Sequence, residues 1–267
     1  MSRRLEFRYD ILLEFDCPVV NHSFVLRCLP RTSGGQRILD ATLKLEPSTG
    51  WTLQKDSFGN LMQIGCIDAP HSSFHYSVQG SALTGLPDSG EEPAPAIYRY
   101  PSQFTGIDGA MRDFLAALSL PSQAREKAWA LSQAVHEKIK YIPGVTNVKT
   151  TAVQAFQAAN GVCQDYAHVY LALARQAGLT ARYCNGLTEG EGASHAWCEV
   201  SIDGKWVGID PTRGKWIDES YLRFNTGRDF GDCPMERGIF TGNTAQKQTV
   251  FMQVSRQNQG HGLTLSF

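Results

Sequence analysis

The sequence predicts an α+β protein in two parts: an antiparallel β-sandwich-like domain over residues 1–105, then a domain over 106–267 that joins helices to an antiparallel sheet. Three observations carry this. Up to residue 84, short apolar, β-branched and aromatic runs alternate with turn residues. Between 108 and 179 the apolar residues recur at helical spacing. From 181 onward, runs with strand character return. With 267 residues, 42% hydrophobic and 19% charged, the chain can build a substantial core and does not have the composition of a disordered protein.

Taken in order, "RRLEFRYDILLEF" and "FVLRCLP" read as strands, with Pro18 and Pro30 as breaks. "TLKLEPSTGWTLQKDSFGNLMQIGCI" holds short runs separated by turns at Pro47-Ser48-Thr49-Gly50 and Ser57-Phe58-Gly59-Asn60. "SSFHYSVQGSAL" alternates as a strand does, and short strands at this spacing suggest a sandwich. The Pro-, Gly- and acid-rich stretch at 85–98 reads as a linker or a long surface loop. "DGAMRDFLAALSL" and "SQAREKAWALSQAVHEKIKYI" read as helices. In the second, Ala128, Leu131, Val135 and Ile142 line one face, Pro121-Ser122 start it and Pro143-Gly144 stop it. "TTAVQAFQAA" is a shorter helix. "GVCQDYAHVYLALARQAGL", 161–179, has almost no polar face and reads as a central buried helix. "ARYCNGL", "HAWCEVSI", "KWVGIDPT", "QTVFMQVSRQ" and "GLTLSF" are strands of the second domain.

A net charge of −1 gives no reason to expect nucleic acid or an anionic membrane as partner. Charges interrupt every apolar stretch of "MSRRLEFRYDILLEF", and no run is long enough to span a bilayer, so a cytoplasmic protein is expected. The seven cysteines are scattered and odd in number, which fits reduced thiols better than a disulfide framework. No CxxC pair suggests structural zinc and no acidic loop has calcium-ligand spacing, so no cofactor is expected.

Cys163 falls at the start of the buried helix, behind Gly161, which permits a tight entry. The unpaired N–H groups and positive dipole end of a helix lie there. With a cationic neighbour, such a setting lowers a cysteine pKa from about 8.5 to as little as ~3.5–7.5. Cysteine is also among the most buried residue types, so taken alone Cys163 reads equally well as packing. In "SHAWCEVSIDGKWVGIDPT", Asp203-Gly204 is a two-residue hairpin signal. Folding there sets Val200 opposite Val207 and Trp197 opposite Asp210, with His195 diagonal to Asp210 on one face. Diagonal neighbours lie roughly 7–8 Å apart, within reach of side chains. Ala196, Cys198, Val200, Ile202, Val207 and Ile209 fill the other face, and that pattern fixes the register. A histidine and an aspartate so placed can serve as a base and its orienter.

"GVCQDYAHVYLALARQAGLTARYCNG", "SHAWCEV" and "WVGIDPTRG" together resemble the three core motifs of the transglutaminase-like superfamily, most nearly bacterial members of cysteine-protease type with a β-rich N-terminal domain. "GRDFGDCPMERGIFTG" resembles their C-terminal signature. The resemblance covers residues 106–267; the N-terminal part matches in character more than in motif. It implies a papain-like core, with Cys163 as nucleophile, His195 as acid and base, and Asp210 as orienter. It also implies that the polar face of the hairpin meets the mouth of the cysteine helix. Tyr141 follows the long helix where the family often places tyrosine, and is the candidate side-chain donor to an oxyanion, beside the Cys163 N–H. Gln164, Trp197 and Trp206 are candidates for the substrate cleft; for the tryptophans, shielding of the site is the alternative. Asp165 reads as a first-turn stabiliser. His168 is not spaced as a metal ligand with Cys163. Arg228 and Asp229 are structural or line the cleft.

The activity implied is cysteine-dependent acyl transfer, with hydrolysis of a peptide or amide through a thioester. The alternatives are a protein-glutamine transglutaminase and a non-catalytic peptide-binding module on the same fold. The expected partner is a peptide or protein substrate. The sequence leaves the N-terminal strands open between substrate selection and contact between copies.

Overall fold

The structure, a computed structural model, describes residues 2–87, 92–192 and 194–256. Five strands come first: β1 (Arg3–Leu26), β2 (Arg37–Glu46), β3 (Trp51–Lys55), β4 (Leu61–Ile67) and β5 (His71–Thr84). In β1, Leu5, Phe7, Tyr9, Ile11, Leu13 and Phe15 alternate with exposed residues, the mark of a strand with one face in the core. Pro18, read from sequence as a break, lies inside β1. The register against β5 shifts between Glu14 and Val19, so the proline sits at an irregularity where it removes no ladder hydrogen bond. At that point the strand changes partners.

The helical region contains α1 (Gly109–Ala117), α2 (Ala124–Lys138), the short β6 (Lys140–Tyr141), α3 (Ala152–Ala158), β7 (Asn160–Gly161) and α4 (Cys163–Gln176). Asp108 caps α1 by accepting from the Met111 N–H at 2.8 Å, and Thr151 and Gln154 form a capping box on α3. Helix α2 buries Ala128, Leu131 and Val135 as expected, but stops at Lys138. Ile142 therefore lies beyond it, because the chain turns extended at Ile139 to pair β6 in parallel with β7. This pairing sets Tyr141 opposite Gly161. Tyr166 and Tyr170 of α4 donate their hydroxyls to Ile139 O at 2.5 Å and Ala128 O at 3.3 Å, satisfying polar tips inside an apolar cluster.

The remaining strands are β8 (Ala181–Thr188), β9 (Gly190–Gly192), β10 (His195–Ile202), β11 (Lys205–Asp210), β12 (Lys215–Trp216), β13 (Tyr221–Gly227), β14 (Glu236–Thr241) and β15 (Gln246–Arg256). One sheet runs β12-β11-β10-β8-β13. Helix α4 packs on the face carrying Ala196, Cys198, Val200, Ile202 and Ile209. Leu187, Leu222 and Phe224 join the core of the other, eight-stranded sheet, where Phe224 meets Phe7 edge-on at 5.8 Å. In that curled sheet, the first half of β1 lies between β5 and β15 and the second half between β4 and β14.

Residues 248–256 of "QTVFMQVSRQ" are thus a strand, but of the eight-stranded sheet and not of the helix-bearing one; its last residue lies outside the described residues. The change of character near residue 105 separates strands from helices in sequence, yet β14 and β15 carry the chain back to β1. "GLTLSF" lies outside the described residues. The stretch 92–98 is a strap across the second sheet: Glu92 accepts from Arg31 and Arg182, and Tyr98 is buried. Glu199, Arg182 and Arg223 form a buried ion-pair cluster beneath it. Among the described residues no helix is long and apolar enough to cross a membrane.

Candidate active site

The site begins at the mouth of α4. Val162 is the N-cap and Cys163 the first helical residue, so the sulfur leaves the chain where helix N–H groups lack intrahelical partners. Asp165 holds this turn: one carboxylate oxygen accepts the Val162 N–H at 2.8 Å and the Thr146 hydroxyl at 2.7 Å. A Cβ at residue 161 would lie 2.5–2.7 Å from that side chain, so glycine is required there by close approach and not by a left-handed backbone. Cys163 is half-buried. All seven cysteines are free thiols; burial pushes the pKa values of Cys28, Cys184, Cys198 and Cys233 well up, and Cys17 and Cys66 lie exposed on the first sheet.

The Asp203-Gly204 turn sets the hairpin register that the sequence predicts, with Ile202 opposite Lys205, Val200 opposite Val207 and Cys198 opposite Ile209. His195 is the first residue of β10, opposite Gly186, where a Cβ would lie 2.1 Å from Leu222 O. Its Nε2–H donates to Asp210 Oδ2 at 2.7 Å, and the ring lies near enough to Cys163 to feel the sulfur's charge. The body of α4 lies on the apolar face of the hairpin; its mouth reaches the polar set at the open end, through His195.

Asp210 is fully buried. Its Oδ1 accepts the Thr212 and Arg213 N–H groups at 2.9 and 3.2 Å, and Oδ2 accepts the Tyr221 hydroxyl at 2.7 Å besides His195. Burial opposes charge on Asp210, but these hydrogen bonds and the His195 charge outweigh it and hold the carboxyl below its usual range. Burial likewise opposes charge on His195; its bond to Asp210 and the nearness of Asp210 and Cys163 carry its pKa up to about 9. The imidazolium is the favoured state at neutral pH.

Tyr141 stands beside the same sulfur. Partial burial and then the Cys163 charge raise its pKa, and the residue is 52% exposed, open to a substrate. Gln164 turns its amide to Val148 O at 3.4 Å, on the loop flanking the helix mouth. Neither tryptophan lines a cleft. Trp197 is 0% exposed, packed between His195 and Tyr221, so it is the floor under the histidine. Trp206 lies at the turn end of β11, where it donates to Pro93 O at 3.3 Å and stacks under Arg182 at 4.0 Å, so it anchors the 92–98 strap. His168 is buried and stacked on Phe104; burial lowers its pKa to about 4, and its neutral ring accepts the Phe230 N–H at 3.2 Å. Asp229 accepts the Phe104 and Gly231 N–H groups, and Arg228 pairs with Asp232 at 2.8 Å. Among the described residues no cluster of three or more His, Cys, Asp or Glu could hold a metal ion.

Sequence reasoning misses Tyr221. Its strand, β13, pairs with β8 and not with a chain neighbour, so no turn signal announces that its hydroxyl will meet Asp210.

Comparison with known proteins gives the family and the fold. Residues 113–211 match the model of the Transglutaminase-like superfamily, and residues 5–82 that of the Bacterial transglutaminase-like N-terminal region. An uncharacterized protein of Mycobacterium leprae is 25% identical over 259 residues, covering 86% of this chain and 90% of that protein. One of Mycobacterium bovis is 26% identical over 284 residues, covering 91% and 88%. A crystal structure described as a "putative cysteine protease" from Cytophaga hutchinsonii has the same fold, with a TM-score of 0.81 at 21% identity over 97% of this chain and 92% of that one.

Proposed function

We propose that this chain, which carries a transglutaminase-like core domain behind a bacterial transglutaminase-like N-terminal region, is a cysteine-dependent acyl-transfer enzyme that hydrolyses peptide or amide bonds. The observation that carries the reading is His195, held to Asp210 at 2.7 Å through Nε2 and near enough to Cys163 for the sulfur to help raise its pKa. The Cys163 sulfur, as thiolate, adds to the amide carbonyl. The Cys163 N–H and the Tyr141 hydroxyl are the donors to the resulting oxyanion. The His195 imidazolium gives its proton to the leaving amine, the C–N bond breaks and a thioester remains. Water then adds to the thioester; neutral His195 takes its proton, the acid product leaves, and thiolate and imidazolium are restored. Asp210 keeps the Nε2 proton in place throughout and offsets the ring's positive charge.

The test is the rate at which iodoacetamide alkylates Cys163 at neutral pH, read by peptide mass spectrometry. His195→Ala is expected to slow it by about tenfold or more, because the thiolate loses its counter-ion. A peptide library exposed to the wild-type chain is expected to yield cleavage products that Cys163→Ala does not. Unchanged alkylation in the histidine variant, or cleavage that survives loss of the thiol, overturns the reading. Products joined to an added amine, in place of hydrolysis, would make the chain a transglutaminase.

A further inference from the structure

A cleft of about 920 Å³ lies between the curled sheet and the helix-bearing part. Its rim includes Ser194, the residue before His195, and Val148, whose carbonyl receives the Gln164 amide, so it adjoins the proposed site. β1, β5, β14 and β15 contribute an aromatic and aliphatic wall, in which Val250 is exposed and Phe240 partly so, whereas Tyr9, Leu13 and Tyr76 show little surface. Glu236 of β14 stands within this wall.

The charged groups of the cleft differ in what they have left to offer. Arg228 is engaged by Asp232, the Arg237 guanidinium donates to Gly231 O, both oxygens of Asp229 hold backbone N–H groups, and Lys149 is an exposed cation on the loop beside Val148. Glu236 has one hydrogen bond among the described residues, from the Tyr76 hydroxyl at 3.3 Å, and no cationic partner. Burial, offset only by that bond, raises its carboxyl to about 7. A carboxylate this short of partners, among rings and alkyl groups, is complementary to a cation on an apolar stem. The volume lies in the range of small-molecule sites.

We propose that the cleft binds a basic side chain of the substrate, an ammonium or guanidinium near the reacting amide but not itself reacting, and that Glu236 recognises its charge. The word substrate rests on the proposed function; the binding site itself does not. The stem lies along Val250 and Phe240, and the head meets the Glu236 oxygen opposite the Tyr76 bond.

Binding is measured on the full chain carrying Cys163→Ala, so that turnover cannot intervene. The probes are Nα-acetyl-lysine methylamide and Nα-acetyl-norleucine methylamide, which share a stem and differ in charge. Carbon-13-labelled glutamate carboxyls report the contact, with the Glu236 signal assigned by its loss in Glu236→Gln. The lysine probe is expected to bind about tenfold or more tightly than the norleucine probe and to move the Glu236 signal. Glu236→Gln is expected to reduce it to the norleucine level. The comparison of the two probes needs no variant, so it decides even if Glu236→Gln folds poorly. Equal binding of the two, no binding of either, a lysine preference that survives Glu236→Gln, or preference for Nα-acetyl-glutamate methylamide each overturns the proposal. None of these outcomes touches the alkylation assay, so the two readings fail separately.

Discussion

The proton on His195 should make the protein's stability fall across neutral and mildly alkaline pH. The rise from 6.5 to about 9, at about 1.36 kcal/mol for each unit, is worth about 3 kcal/mol. Below pH ~6.5 the folded and unfolded chains both carry the proton and this stabilisation is present in full. Between ~6.5 and ~9 the folded chain holds one proton more than the unfolded chain, so unfolding free energy drops by about 1.36 kcal/mol per unit, and above the folded pKa the contribution is gone. The perturbation is His195→Gln, and the assay is urea unfolding from about pH 6 to about pH 9.5 on both proteins. The difference between the two curves cancels groups such as Glu236, whose raised carboxyl acts in a lower window. Asp210 is held low, so its coupling to the ring appears only as acid is added. The ring titration itself, by NMR, should have its midpoint near 9 and fall in Cys163→Ala, which removes the sulfur's influence on the ring. A difference curve that stays flat from about pH 6 to about pH 9.5, or a ring that titrates near 6.5, would refute the reasoning.

Four further outcomes can be checked by the same methods. Tyr221→Phe takes one donor from the buried Asp210 carboxylate and should cost about 1.5–3 kcal/mol in urea unfolding. Asp210→Asn leaves His195 buried without its counter-charge; the ring midpoint should drop below 6.5 and Cys163 alkylation should slow to the His195→Ala rate. Trp197→Ala opens a cavity beneath His195 and should cost about 3–5 kcal/mol, where a cleft-lining tryptophan would cost little. Glu199→Gln leaves Arg182 and Arg223 sharing Glu92 alone, and should cost about 3 kcal/mol or more.

What was legible in the sequence was local. Asp203-Gly204 and the alternation on either side of it fix the hairpin, and the hairpin brings His195 to Asp210 without reference to any distant residue. The helix at Cys163 is legible for the same reason, since its apolar residues cover nearly the whole circumference. The misses are contacts between segments far apart in the chain. Alternation puts Trp197 and Trp206 on the face of His195, but does not show that Tyr221 covers one and the strap at Pro93 the other. Nor can composition show that β15 returns to β1, because a strand's pattern names its buried face and not its neighbour. Pro18 and Ile142 depart for a third reason: proline and helical spacing are local rules, and an irregularity in β1 and the pairing of β6 with β7 override them.

Asp210 also shapes a turn and orients a ring at once, and the two roles do not compete. An ionised carboxylate offers about four acceptor positions. Here Oδ1 takes the N–H groups of Thr212 and Arg213, which shape the turn after Pro211, and Oδ2 takes His195 and Tyr221. With all four filled, the side chain has no freedom to swing, and the ring it holds inherits that rigidity. Asparagine could keep the turn through its one carbonyl oxygen, but its amide would then present N–H to the Nε2–H, donor against donor. The turn tolerates either residue and the histidine does not, so the choice of aspartate at 210 follows from the ring and not from the bend.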